Sequence, residues 1–578
     1  MKKKSKYNKK ETLTACVFVL PAMIPLLLFW IGPVFYSAGL SFTDWDMISE
    51  KINFVGVNNY KSLLGDSELY RTLKNTLFFS IGNIIPTILI GVLIALALCM
   101  VKRGGFFKTI IFSPYITPMV AVSIVWSWIF EPRVGILNYV LSLLGLPGLQ
   151  WIQSSDTAML SVVIVTVWKQ IGWAMIFYVE AIKKVPQNIM EAASIDGAGG
   201  FVKFTKIIWP TISPTTLFLV MITTINSIQA YDQIQVLTQG GPAGATRTLL
   251  YYFYMEAFEA FNTGKASAVA VIIILITVVL SIVETVISKN MYIMIRWRMK
   301  KIKKSISKMV LYLVLAASSL IIAFPFLWMI SNSIKTKDEI WAMPPEVLPK
   351  IPQWINYLNV LREGDFFKYM WNSTSTALIC TVIVLLNSAM FAYALVFIRF
   401  RGSKLLYMLI MVTYIMPTAS TYIPSYIILS KMGLMDTHMG YIVSSSASIF
   451  NIFYYRTTYL QINSSVMEAA KADGAGHWQR FWKIVMPLSI PATVTLGILS
   501  FIGNYNNYLW PSLIIKDKEK YFVSMGLKSF FSGYGAYGME WGSIMAACCV
   551  VVVPLILIVA LGQKWIIQGI TNDSGVKE

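Results

Sequence analysis

Glu191 to Pro214 reads EAASIDGAGGFVKFTKIIWPTISP, and Glu468 to Pro491 reads EAAKADGAGHWQRFWKIVMPLSIP. Twelve of the 24 aligned positions are identical, among them Asp196/Asp473, Gly197/Gly474, Phe204/Phe481 and Pro210/Pro487. A polar cluster, two small alanines, an Asp-Gly turn and a later proline describe a helix–turn–helix elbow. Asn188 with Glu191, and Ser465 with Glu468, have capping-box spacing at the start of its first helix. Glycine after Asp196 and Asp473 tolerates the left-handed conformation that ends a helix. Pro210 and Pro487 suit the first turn of the next one. On these features alone, a structural cap and a docking surface are equally good readings.

The elbows are flanked by apolar runs long enough to cross a bilayer, for which about 20 residues suffice. Six spans precede a basic stretch: 13–40, 77–101, 109–130, 157–182, 211–237 and 266–287. Six follow it: 309–330, 374–398, 405–429, 439–459, 488–513 and 542–561. Each elbow lies between the fourth and fifth spans of its half. Backbone groups in lipid must pair internally, so runs of this length are helices, and a barrel would show short alternating segments. The fold class is therefore an all-α polytopic membrane protein of about 12 transmembrane helices, arranged as two parallel six-helix repeats. Parallel repeats are related by an axis along the membrane normal.

Charge orients the chain. With the N-terminus in the cytoplasm, inward-facing segments carry 29 Lys/Arg against 7 Asp/Glu, and outward-facing ones 17 against 18. An excess of Lys and Arg marks the cytoplasmic side. Both termini and both elbows are thus expected to be cytoplasmic. The same ledger accounts for the net charge of +20 without nucleic acid. Lys2, Lys3, Lys4 and Lys6 precede the first run as in a signal peptide, but the run exceeds a typical h-region and reads as a retained span. Met299, inside the basic stretch Arg296–Lys304, precedes Lys-rich sequence and then a span, as Met1 does. Two six-span units, 1–298 and 299–578, are expected to be joined there.

Composition agrees with a lipid environment. Of 578 residues, 56% are hydrophobic and 13% charged, against about a quarter charged in soluble proteins, so soluble enzymes and secreted modules are excluded. Cys16, Cys99, Cys380, Cys548 and Cys549 have no zinc-site spacing, and only His438 and His477 are present, so neither a metal centre nor a His-based triad is expected.

A solute path is expected near the midplane between the repeats. The fifth spans carry its polar candidates: Asn226, Gln229, Tyr231, Asp232 and Gln233 in the first, and Asn504, Tyr505, Asn506, Asn507 and Tyr508 in the second. So dense a polar group is costly against lipid and should face protein or water. Interhelical hydrogen bonding is the competing reading. Lys169, near the middle of span four, needs a lumen or an acid: an acidic solute is one partner, and pairing with Asp232 is favoured. Glu180 and Glu284, near span ends, are expected to be half solvated. The longest outward loop, 331–373, carries Trp341, Pro344, Pro345 and Trp354 and either packs over helix ends or receives a partner. The residues after Gln568 read as a loose end.

Both elbows resemble the EAA---G---------I-LP signature of permeases of binding-protein-dependent ABC importers. Glu191, Ala192, Ala193, Gly197, Ile207 and Pro210 match, as do Glu468, Ala469, Ala470, Gly474, Ile484 and Pro487, with Trp209 and Met486 replacing Leu. Pro33–Trp45, Tyr231-Asp232…Leu237–Pro242 and Tyr505-Asn506…Leu509–Pro511 resemble the carbohydrate-uptake branch, of maltose, multiple-sugar and glycerol-phosphate type. The resemblance implies a bacterial cell-membrane permease that moves a carbohydrate or related solute inward by alternating access. It implies two cytoplasmic ABC ATPase subunits seated on Glu191, Ala192, Ala193 and Gly197 and on Glu468, Ala469, Ala470 and Gly474. It also implies an extracytoplasmic solute-binding protein. The chain would hold no cofactor, ATP-Mg being bound by the ATPases. Gly264-Lys265 is the only Gly-Lys pair, with Glu259 where a P-loop needs Gly. An ion-coupled symporter would need a relay of charges within the spans, and only Lys169, Asp232 and Glu284 are offered. A membrane-embedded enzyme would need clustered acids or a metal at one face.

Overall fold

A computed structural model describes residues 9–49, 51–101, 104–294, 308–363, 365–414, 416–535 and 540–571. The expected junction at 298/299, with its basic stretch, lies outside them, as do the first eight residues and the last seven. Among the described residues there is no β-strand, only an isolated bridge between Thr43 and Phe54.

Eight helices are continuous, apolar and long enough to cross a membrane: Lys9–Leu40, Ser67–Cys99, Ala158–Lys183, Gly200–Ile228, Thr263–Ile287, Met309–Ser333, Phe366–Phe397 and Trp541–Ile558. Three bent helix pairs are further candidates, giving up to eleven spans among the described residues. The all-helical, two-repeat fold expected from the sequence is present, with some of the spans bent. Span three is Gly105–Ile116 and Met119–Ile129, bent by 99°, and span nine is Ser403–Tyr414 and Ala419–Lys431, bent by 106°. Pro118 and Pro417 stand at these bends; a proline disfavours the helical conformation of the residue before it, and Thr117 is extended with ψ 145°. The run 439–459 divides into His438–Ser444 and Ile449–Tyr459. The serine-rich break between them suits caps better than helix interior, and the Ser448 hydroxyl accepts from the Asn451 N–H at 3.3 Å.

The first span of each half packs on the other half. Phe18 meets Tyr393, Trp478 and Phe481 at centroid distances of 5.0, 4.7 and 5.5 Å. In return, Tyr312 lies 6.3 Å from Phe107, and Trp168 Nε1 donates to the Ile322 carbonyl at 3.1 Å. With no hydrophobic drive between helices in lipid, such packing and hydrogen bonds hold the halves together.

Spans three and four pack backbone against backbone at Gly172. A Cβ there would sit 2.2 Å from the Ile111 carbonyl oxygen and 2.7 Å from Phe112 Cα. Because backbone cannot move aside as a side chain does, Gly172→Ala is expected to destabilise the chain by about 1–3 kcal/mol. The check is the temperature at which the detergent-solubilised protein loses its monodisperse elution peak; an unchanged temperature contradicts this packing.

Candidate functional site

The two elbows have the same build. Helix Gln187–Ile195 turns at Gly197, with φ +73°, and helix Ser464–Ala472 turns at Gly474, with φ +80°. Each continues through a short helix into a π-helical turn, Phe204–Ile208 or Phe481–Val485, directly before the residue preceding Pro210 or Pro487. Neither capping box forms. The first helix begins after Pro186, with no side-chain cap, and Glu191 instead accepts from Gln187 Nε2 at 2.8 Å. The second begins after Asn463, whose side chain accepts from the Ser465 N–H at 3.0 Å. Both helices start before the expected Asn188 and Ser465, so each Glu lies further along its helix than N3. No residue of the first helix is buried, whereas Met467 and Ala470 of the second are. Ile195, at the end of the first helix, is 87% exposed.

Between the halves lie two cavities that share Ser448, Ser500 and Gly503. The larger, about 500 Å³, is walled by Tyr115, Lys169, Trp173, Asn226 and Asp232 of the first half and by Asn506 of the second. The smaller, about 310 Å³, is lined by Trp30, Tyr422, Asn504, Asn507 and Trp510, with several serines and threonines and no Lys, Arg, Asp or Glu.

Lys169 and Asp232, expected to pair, form no salt bridge, although each remains within electrostatic reach of the other. Lys169 Nζ donates to the carbonyls of Pro114, at 3.1 Å, Tyr115, at 3.0 Å, and Thr117. These carbonyls are released where span three breaks, and a cation at a helix C-terminus is favoured by the aligned peptide dipoles. An ammonium has three hydrogens to give, so Lys169 is saturated by backbone. Asp232 opens the short helix Asp232–Leu237 after span five itself breaks at Gln229–Tyr231. Its carboxylate lines the larger cavity and makes no hydrogen bond or ion pair among the described residues. Glu180, expected to be half solvated, is buried and paired with Lys108 at 3.0 Å and Lys183 at 3.2 Å. Glu284 accepts from the Thr224 hydroxyl at 2.7 Å.

The other sequence candidates separate. Asn226 is exposed to the larger cavity. Asn504 accepts from the Tyr441 hydroxyl at 3.1 Å, and Asn507 donates to that hydroxyl at 3.3 Å; both face the smaller cavity. Gln229 and Asn506 reach into the opposite half: Gln229 Oε1 accepts from the Thr418 N–H and hydroxyl at 2.9 and 2.7 Å, and Asn506 Nδ2 donates to the Ile116 carbonyl at 2.7 Å. Tyr231 and Tyr505 line neither cavity. Tyr231 packs against Tyr251 and Tyr254 at 5.6 and 4.8 Å, and the buried Tyr505 donates to the Val551 carbonyl at 3.1 Å. Sequence reasoning missed the aromatic walls. Tyr115 and Trp173, stacked at 4.6 Å, carry no local signal that separates a cavity wall from ordinary helix packing.

A polytopic helical chain with a polar cavity between two repeats, and a matched elbow in each, is the membrane component of a transport system. Residues 87–293 and 385–572 both match the family model described as binding-protein-dependent transport system inner membrane component, and the chain belongs to that family twice over. It is 32% identical over 273 residues to the probable ABC transporter permease protein YurN of Bacillus subtilis, covering 46% of this chain and 93% of that protein. It is 33% identical over 269 residues to the sn-glycerol-3-phosphate transport system permease protein UgpA of Agrobacterium fabrum, covering 46% and 91%. A crystal structure of a bacterial alginate ABC transporter in complex with an alginate pentasaccharide-bound periplasmic protein aligns at TM-score 0.44 and 21% identity, covering 49% of this chain and 96% of that one. The chain is a multi-pass permease of an ABC importer, and the ion-coupled symporter reading is not favoured.

Proposed function

We propose that this chain supplies both permease units of a carbohydrate importer in one polypeptide, 1–298 and 299–578, with both termini in the cytoplasm. The elbows around Glu191–Gly197 and Glu468–Gly474 each seat one cytoplasmic ABC ATPase subunit, which binds ATP-Mg, and a solute-binding protein delivers at the outer face. The observation that carries this reading is the doubled elbow: two surface helices of equal length, each ended by a left-handed glycine and followed by a π-helical turn at the equivalent position. A single internal cap would have no need of two such surfaces.

The two cavities are the solute path. A sugar presents hydroxyls and apolar ring faces. The walls offer amides of Asn226, Asn504 and Asn507, the unpaired carboxylate of Asp232, and the rings of Tyr115, Trp173 and Trp510. The name of UgpA supports a polyhydroxyl solute. Closure of the ATPase pair is transmitted through both elbows and favours the outward-open arrangement; hydrolysis returns the chain to the inward-open one. ATP and the loaded binding protein must therefore both prefer the outward state.

Filling the cavity tests the path. Asn226→Trp is expected to lower solute uptake by about 30-fold or more, equivalent to about 2 kcal/mol of lost transition-state stabilisation, while the chain remains in the membrane with its ATPases bound. Uptake assays in cells, with co-purification of the ATPases, provide the measurement. Parental uptake by Asn226→Trp would place the path elsewhere.

A further inference from the structure

The offset of 277 residues between Glu191 and Glu468 carries Gln229 onto Asn506. Both stand where a fifth span breaks: Gln229 follows helix Trp209–Ile228, and Asn506 ends helix Ile490–Asn506. Each sends its amide across the repeat interface to the broken third span of the other half. Gln229 Oε1 accepts from Thr418, the residue that opens helix Ala419–Lys431. Asn506 Nδ2 donates to Ile116, the last residue of helix Gly105–Ile116. The chemistry fits each end, since helix starts leave N–H groups without partners and helix ends leave carbonyls.

Both bonds border the solute path, for Thr418 lines the smaller cavity and Asn506 the larger. Oδ1 of Asn506 is buried and has no hydrogen-bond partner among the described residues. A buried amide with one end unsatisfied raises the energy of the arrangement that holds it.

We propose that Gln229 and Asn506 form a reciprocal latch, positioning residues through which the fifth span of each half holds the broken third span of the other. The two halves then rock together and the cavity opens to one side at a time. The latch rests on the permease reading above. Released, it leaves each bent span free to move with its own half, and the cavity becomes accessible from both sides.

The two amides work through opposite atoms, which makes the test chemical rather than steric. Gln229→Glu keeps the acceptor, while Gln229→Met keeps the length and loses it. Asn506→Leu loses the donor at similar volume. The reporter is Asn226→Cys, in a chain whose five native cysteines are alanine. Vesicles containing it are treated from outside, or from inside, with the membrane-impermeant trimethylammonium ethyl methanethiosulfonate. In the parent, labelling should be one-sided. Asn506→Leu is expected to raise labelling from the slow side by about tenfold, the shift for one lost hydrogen bond, and Gln229→Met, which loses two, by at least as much. Gln229→Glu should keep the parental ratio. Parental ratios in both Gln229→Met and Asn506→Leu, or Gln229→Glu behaving as Gln229→Met, would overturn the latch alone. A parent labelled equally from both sides would overturn alternating access as well. Where Asn506→Leu does not fold, Asn506→Asp at pH 8, of the same shape but without the donor, decides in its place.

Discussion

The double substitution Gly197→Trp with Gly474→Trp is expected to reach the membrane at parental levels and to lose solute uptake by up to about 100-fold, the upper range of coupling between sites. ATP hydrolysis by the associated ATPases should persist without driving transport. The reasoning starts from the backbone. Both glycines have positive φ, +73° and +80°, where a side chain costs about 1–2 kcal/mol. That is too little to unfold a chain with two large cores. Nothing lies within 4 Å of either absent Cβ, so a side chain can leave the backbone there without a clash. The collision falls on whatever docks against the elbow. Alanine at both positions carries the conformational cost without the bulk and is the control. Uptake and hydrolysis measured in the same vesicles separate the outcomes. Unimpaired uptake in the tryptophan double mutant would end the proposal that the elbows transmit force.

The second large effect is expected at Lys169. Its ammonium is the donor for three carbonyls at the break of span three. Lys169→Met keeps the stem and removes all three hydrogen bonds; the Pro114 carbonyl still accepts from Thr117, while those of Tyr115 and Thr117 are left in a membrane interior poor in other donors. We expect a loss of about 2–4 kcal/mol, since each buried group left unpaired costs about 1–3 kcal/mol and the cavity hydrates part of the site. The measurable result is a lower temperature of aggregation in detergent, together with loss of uptake. Asp232→Asn is the contrasting variant. Its carboxylate makes no hydrogen bond or salt bridge among the described residues, so the variant should lose far less stability than Lys169→Met while weakening uptake. Equal destabilisation by Lys169→Met and Asp232→Asn would restore the ion pair that the geometry denies.

Much of the architecture was legible in the residues because the bilayer restricts what a chain can do. Long apolar runs can only be helices, and the doubled 24-residue segment marks equivalent positions in both halves. Family membership followed from the same two segments. The bends were less legible. Pro118 and Pro417 were visible, but so were Pro86, Pro325 and Pro554, which lie inside helices that stay continuous. What separates these cases is whether neighbouring chain satisfies the released backbone groups in the bent form. At Pro118 that neighbour is Lys169, from a different span, and no local pattern announces it.

The polar candidates divide along the same line. Composition established that amides cluster in both fifth spans, and period and charge established which helices carry them. Whether an amide faces solute or another helix depends on rotations set by packing, and residues one position apart had opposite fates: Asn504 and Asn506 border cavities while Tyr505 is fully buried. Sequence by itself determined the spanning helices and the repeat, since each is dictated by hydrogen bonding and apolar length within a single segment. Only the tertiary structure decided the breaks, the partners of Lys169 and the crossing of Gln229 and Asn506, because those depend on which groups from distant segments arrive within 3 Å of one another.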